Sequence, residues 1–270
     1  MDKENRYVAS VSFGKDSVWM LYWILMHPEK YPLHHVVFVN TGMEFVEAIN
    51  TVKSHVVKML QKKEIPFTEI DISEEFYFNM MEREVCKKGT EQVHRQGYGW
   101  CGGVCRWGTS MKLQALNRFY HNTYPSKKYV VYEYVGFASD EEWRIPAERD
   151  PYKIYPLVDA GITEKESLIN CYRRGVYWEM NGIKMYEILD RLSCWCCRNK
   201  NLKELKEIFY CLPDYWERLK KLERLIGEPM KGEGMGLVAL ERRFCREGYA
   251  QTIFDWYDFP ESLEAVQDEF

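Results

Sequence analysis

The stretch Val8-Ala9-Ser10-Val11-Ser12-Phe13-Gly14-Lys15-Asp16-Ser17 constrains the fold most. An apolar run breaks at a small-residue turn, and the chain resumes at once with the apolar start of a helix, Val18-Trp19-Met20-Leu21. A strand, a glycine turn and a helix N-terminus in that order make an anion site, because backbone N–H groups point outward and the positive end of the helix dipole favours phosphate. Ser12 and Ser17 add hydroxyl donors, and Lys15 adds a full charge. The same composition also suits an ordinary strand-to-helix connection, where Gly and Ser are common. The spacing excludes a Walker A loop, which needs four residues between its first glycine and Gly-Lys, and it excludes G-x-G-x-x-G.

The alternation continues downstream. The first helix is expected from Asp16 to about His27, with Pro28 and Pro32 marking the following loop. His34 to Val39 reads as a buried strand ending at Asn40-Thr41-Gly42. From Glu44 to about Gln61, Phe45, Ile49, Val52, Val56 and Leu60 recur at helical spacing, and Phe67 to Ile72 reads as a third strand. Strand, helix, strand, helix, strand predicts an α/β fold with a doubly wound, mostly parallel, Rossmann-like sheet. Its ligands belong beyond the C-terminal ends of the strands, where both small-residue turns fall.

Ser12-Phe13-Gly14-Lys15-Asp16-Ser17 resembles the SGGxDS pyrophosphate loop of the PP-loop ATP pyrophosphatases and of the PAPS (phosphoadenosine phosphosulfate) reductase family, with Phe13 at the second small position. Asn40-Thr41-Gly42-Met43-Glu44-Phe45 is similar to that family's DTGxEFPE segment, with Asn40 for Asp and Val46 for Pro. Thr41 and Glu44 also fit a helix capping box. The apolar strand Tyr129 to Phe137 ends at Gly136, and Asp140 to Arg144 follows, resembling GxRxxES with Phe137 at its first Arg. Tyr155-Pro156-Leu157, then Thr163-Glu164-Lys165-Glu166 opening a helix to about Arg174, complete a resemblance over roughly residues 7–175. The resemblance implies an adenine nucleotide alpha hydrolase-like fold. It implies nucleotide contacts at Ser12, Gly14, Lys15, Asp16, Ser17, Asn40, Thr41, Gly42, Glu44 and Gly136, with Lys15 and Asp16 the catalytic pair. Arg106 and Lys112, in a stretch similar to R-x-C-T-x-x-x-K, and Arg144 are candidates for binding a substrate anion; a solvated helix face is the alternative for the first two.

Nine cysteines, an odd number, follow a charged N-terminus that lacks a signal-peptide core. This favours metal binding or thiol chemistry over a disulfide framework, and a cytoplasmic location. Cys101 and Cys105 form C-x3-C; Cys194 and Cys197 form C-x2-C with Cys196 between them. Two close pairs far apart in sequence suit a four-thiolate site, because each short loop aims two sulfurs at one point. Zn²⁺ and a [4Fe–4S] cluster both take such a set, and Cys196 is an alternative ligand. Buried structural cysteines are the competing explanation, adopted here for Cys86, Cys171, Cys211 and Cys245.

The 270 residues carry a formal charge of −4, which gives no general pull toward nucleic acid or membrane, and no apolar run approaches a membrane span. Two parts are expected: a nucleotide-binding α/β domain over 1–175, including the cysteine loop at 97–108, and a helical region over 176–270 carrying the Cys194–Cys197 motif. The expected activity is that of a PP-loop enzyme. It binds ATP with Mg²⁺, releases pyrophosphate by adenylylating an acceptor, and so prepares sulfur or amine transfer. A sulfur donor protein and a nucleic-acid substrate are its candidate partners. One rival is a sulfonucleotide reductase, although the family's C-terminal E-C-G-L-H nucleophile segment is missing and Cys245, between Arg242, Arg243 and Arg246, is the only substitute considered. The other rival is a non-catalytic nucleotide- and metal-binding subunit of a nucleic-acid modification system.

Overall fold

The computed structural model describes residues 3–100 and 105–248. The chain opens with strand β1 (Glu4–Val11), helix α1 (Lys15–Met26), β2 (His35–Asn40), α2 (Val46–Lys62) and β3 (Phe67–Asp71). Next come α3 (Ser73–Met81), a hairpin of β4 (Glu84–Cys86) and β5 (Val93–Gln96), α4 (Arg106–Thr123) and β6 (Tyr129–Val135). A 3-10 turn at Ser139–Arg144 leads to β7 (Lys153–Ile154), α5 (Pro156–Asp159) and α6 (Glu164–Arg173). Beyond it lie a small hairpin, β8 (Glu179–Met180) with β9 (Ile183–Lys184), and helices α7 (Met185–Ile188), α8 (Leu202–Cys211), α9 (Pro213–Ile226) and α10 (Leu237–Glu247).

The central sheet runs β3-β2-β1-β6-β7 with every pair parallel, so the α/β, doubly wound class expected from the sequence is borne out. In β2, Val36 to Val39 are all buried, the pattern of a strand covered on both faces. Helix α2 buries one stripe, Ala48, Ile49, Val52, Val56 and Leu60. Helix α1 is apolar nearly all round because it is packed between the sheet and α6, burying Val18 to Tyr22 and Ile24.

Winding proceeds outward from β1 in one direction through β2 and β3, then restarts on its other side with β6 and β7. The switch point therefore lies between β1 and β6, and the crevice beyond their C-terminal ends is where such a sheet takes a ligand.

One region departs from the sequence reading. Residues 74–108 look irregular in sequence, yet their described part holds most of α3, the β4–β5 hairpin and the start of α4. The nine-residue α3 begins where the Asp71 carboxylate accepts the Ser73 N–H at 2.8 Å, and it leaves Tyr77 and Phe78 exposed. Two exposed aromatics in so short a helix erase its apolar periodicity. Side chains from beyond residue 175 also reach the sheet edge. Trp178 is fully buried and its indole N–H donates to the Phe13 carbonyl, and the Trp195 main-chain N–H donates to the Met43 carbonyl at 2.8 Å.

Candidate active site

The turn after β1 is built by packing as much as by glycine. Phe13 takes a left-handed conformation (φ 57°), which L residues reach only at a cost of roughly 1–2 kcal/mol. Its ring is fully buried, edge-on to Phe38 at 4.9 Å between centroids. Aromatic burial thus holds the bend. Gly14, by contrast, is extended (φ −78°, ψ 163°), a conformation open to any residue. A methyl group there would stand 3.5 Å from both Ser12 Oγ and Tyr186 Oη, so the glycine keeps open a space between two hydroxyls.

Ser17 ties the loop together. Its hydroxyl donates to the Gly14 carbonyl at 2.9 Å and accepts the Ser12 N–H at 3.3 Å. The first helical amide, Lys15 N–H, donates to the Tyr186 hydroxyl at 2.8 Å. On the far side Gly136, after β6, lies against the start of α1; a Cβ there would meet Ser17 Cα at 2.8 Å. These elements enclose a cleft of about 290 Å³ at the switch point. Ser12, Gly14, Lys15, Asp16, Ser17, Gly136 and Arg144 all line it, together with Tyr186, Leu192 and Ser193.

Its electrostatics are mixed. Lys15, only 3% exposed, pairs with Asp16 at 2.8 Å and Glu164 at 3.6 Å. Arg144 and Arg191 both hold Glu141 at 2.8 Å, and Arg191 also reaches Glu164 at 3.3 Å. One oxygen from each of Asp16, Glu141 and Glu164 lies within 4.8 Å of the others, an arrangement able to hold a divalent cation. Burial raises the Asp16 carboxyl, with Lys15 only partly opposing it. Burial likewise raises Glu164, against the pull of Lys15 and with Glu141 and Asp16 adding to the rise. Burial pushes Glu141 the same way, but Arg144, a hydrogen bond with Glu164 and Arg191 outweigh it and hold Glu141 below the usual range. Of this acidic pair, Glu164 is thus the one that takes up a proton more readily.

The second turn sits elsewhere. Asn40, Thr41, Gly42 and Glu44 are not among the residues lining this cleft; Thr41 and Gly42 instead line a separate one beside Tyr77 and Phe78. Asn40 donates to Glu69 and accepts the Gly42 N–H, each at 2.8 Å. Glu44 accepts both the N–H (3.1 Å) and the hydroxyl (2.8 Å) of Thr41, but α2 starts only at Val46, so the pair closes a turn ahead of the helix instead of capping it. Lys112 pairs with Glu44 at 3.3 Å. Arg106 is the first residue of α4, and its side chain, like Cys101, lies outside the described residues.

Lys112 and Glu44 adjoin the cysteines. Burial pulls the Lys112 ammonium down, but nearby Cys194, Glu44 and Cys105 more than restore it. The Cys194 thiol is raised by burial, with Lys112 opposing and Glu44, Cys197 and Cys105 reinforcing. Cys194 and Cys197 share a turn closed by the Cys197 N–H on the Cys194 carbonyl at 3.0 Å. Cys196 is buried in the core, and burial pushes its thiol well up. Lys200, 2% exposed, stands within electrostatic reach of Cys194, Cys196 and Cys197 and donates to Ser193 Oγ at 3.0 Å. Burial pulls its ammonium down, with Glu204 opposing. Cys105 and Cys197 thus both lie within electrostatic reach of Cys194, with the Lys112 and Lys200 ammonium groups beside them; among the described residues these sulfurs do not converge as closely as the three carboxylates of the cleft. Cys245 lies apart, exposed on α10 in a groove with Arg242 and Arg246.

Sequence reasoning missed Tyr186, Arg191 and the Glu141–Glu164 pair. Glu164 was read only as part of a helix start, which it is: Thr163 and Glu166 form the full capping box. Tyr186 and Arg191 stand on short or irregular segments with no periodic pattern to mark them.

A parallel α/β sheet with a small-residue turn and a helix N-terminus at its switch point defines a doubly wound protein with a cleft at that point. Residues 6–127 match the family model of the phosphoadenosine phosphosulfate reductase domain, so the resemblance carried by the loop is borne out over that stretch. The match runs from β1 through α4 and ends before β6. No curated protein matches the chain. Among solved structures the chain is similar to the U34-tRNA thiolase NcsA from Methanococcus maripaludis with its [4Fe-4S] cluster, at 15% identity and a TM-score of 0.42, over 99% of this chain and 80% of that one. That likeness is too distant to bear on the site. Among the described residues no helix is long and apolar enough to cross a membrane.

Proposed function

We propose that the chain is an enzyme that binds ATP, or a related adenine nucleotide, with its phosphate tail in the turn after β1. It releases pyrophosphate by adenylylating an acceptor for sulfur or amine transfer, beside a cysteine-ligated metal. One observation carries this reading. Leu192 and Ser193 line the cleft, and the next residue is Cys194, so phosphate site and sulfur site share a wall.

In the reaction an acceptor oxygen attacks the α-phosphorus. The new P–O bond forms as the bond to the bridging oxygen of the β-phosphate breaks, and pyrophosphate leaves with the electron pair. The Lys15 ammonium and the first-turn amides of α1 after that of Lys15 stabilise that charge as it develops, and position and electrostatics do most of the work. Asp16 would hold Mg²⁺ through water, and that ion would share the phosphate charge. A metal on Cys101, Cys105, Cys194 and Cys197, zinc or an iron–sulfur cluster, would supply a centre for handling sulfur. The adenylate then accepts the nucleophile and AMP departs. A sulfur donor protein and a nucleic-acid acceptor are the partners such chemistry calls for, and the cytoplasm is the expected compartment.

Anaerobically purified protein given ATP and Mg²⁺ is expected to release pyrophosphate, and Lys15→Ala to lower that rate about a hundredfold. Metal analysis on the same preparation should find iron or zinc at near one site per chain. Sulfite from phosphoadenosine phosphosulfate, with no pyrophosphate from ATP under any acceptor tried, would replace this reading with the reductase.

A further inference from the structure

We infer that Tyr186 is a phosphate-binding residue of this cleft: its phenolic O–H, not the Lys15 amide, is what the loop presents to the pyrophosphate oxygens. The inference rests on the nucleotide reading and adds to it a contact supplied by an element 171 residues from the loop amide it caps.

An α-helix N-terminus offers amides that have no acceptor within the helix. In α1 the first of these, Lys15 N–H, is already taken by Tyr186 Oη at 2.8 Å. A phenol oxygen that accepts one hydrogen still owns another to give. Among the described residues no protein acceptor takes it, although Tyr186 is only 5% exposed. The ring is fixed, edge-on to Trp178 at 5.0 Å with the Lys15 ammonium 5.9 Å from its centroid, so the hydroxyl keeps its place on the cleft wall. Accepting from an amide at the positive end of a helix also polarises the phenol, which strengthens it as a donor. Burial holds the group protonated, as a donor must be.

Gly14 supplies a second, independent sign. Its backbone does not require glycine, yet a Cβ there would touch both hydroxyls, 3.5 Å from Ser12 Oγ and 3.5 Å from Tyr186 Oη. What the glycine preserves is room between two hydroxyl groups, the size and chemistry of a place for an oxyanion. The ligand class is a phosphate chain, and in the proposed reaction it is the leaving pyrophosphate.

The test measures binding of inorganic pyrophosphate, ATP and AMP by calorimetry to the full chain and to Tyr186→Phe, with near-ultraviolet circular dichroism to confirm the fold. The expected result is pyrophosphate and ATP binding weakened about tenfold to a hundredfold, the worth of one hydrogen bond to a charged group, with AMP unchanged. Gly14→Ala, which adds one methyl between the hydroxyls, should weaken pyrophosphate in the same way and serves alone if the tyrosine variant does not fold. Equal or tighter pyrophosphate binding by Tyr186→Phe means the freed Lys15 amide meets the anion directly, and overturns the role of the phenol. Equal weakening of AMP and pyrophosphate makes Tyr186 a structural support and overturns it as well. A wild-type chain that binds neither pyrophosphate nor ATP overturns the nucleotide reading, and this inference with it.

Discussion

Phe13 shows how one side chain can replace the usual solution to a turn. The left-handed bend is bought with ring burial where a glycine would adopt it freely, so Phe13→Gly both relieves strain and leaves a cavity. Losing a buried phenyl group costs about 3–5 kcal/mol and the relief returns roughly 1–2, so a net loss of about 1–4 kcal/mol is expected in denaturant titration. Glu164 makes a different prediction. Its folded pKa is raised by burial and by its acidic neighbours, as is that of Asp16. A raised carboxyl binds its proton more tightly in the folded chain than in the unfolded one. The stability it contributes is complete below the ordinary carboxylate range and is lost as pH rises through the raised folded value. Glu164→Gln should therefore melt above the wild type at pH 8, with the gap closing toward pH 4. A gap that widened on acidification would reverse the assignment.

At the scale of elements, the contact of β6 with α1 sets the width of the cleft. Gly136 approaches the Ser17 backbone too closely for any side chain, and a methyl at 2.8 Å from Ser17 Cα must push the two apart. Gly136→Ala should cost more in nucleotide binding than in melting temperature, because the strain falls on the helix terminus that lines the cleft; the two measurements on one preparation check this. The alternation of strands and helices from β1 to β3 was legible because each carries a long run of one period. The Thr163 capping box was legible because four consecutive residues encode it. The β8–β9 hairpin and α7, which deliver Trp178 and Tyr186, were not: strands of two residues and a helix of four are shorter than any period.

At the scale of the molecule, sequence motifs located the loop after β1, and the fold put it at the switch point. Spacing gave Asn40, Thr41, Gly42 and Glu44 a place on the same sheet edge, but edges are wide. The hydrogen bond from Trp195 to Met43 and the Lys112–Glu44 pair turn that segment toward the cysteines, a long-range arrangement no local pattern encodes. The same holds for the carboxylates of Asp16, Glu141 and Glu164, which converge from three separate elements.

The strip from Leu192 to Lys200 belongs to two neighbourhoods at once, since Lys200 sits among the thiols while tethering Ser193 on the cleft wall. On the proposed nucleotide reading, oxidation of these thiols is expected to disturb the cleft through Lys200 and Ser193. Protein handled in air should lose grip on ATP while still melting as a folded chain, and recover it under a thiol reductant; identical ATP affinity before and after aeration would show the two neighbourhoods to be independent.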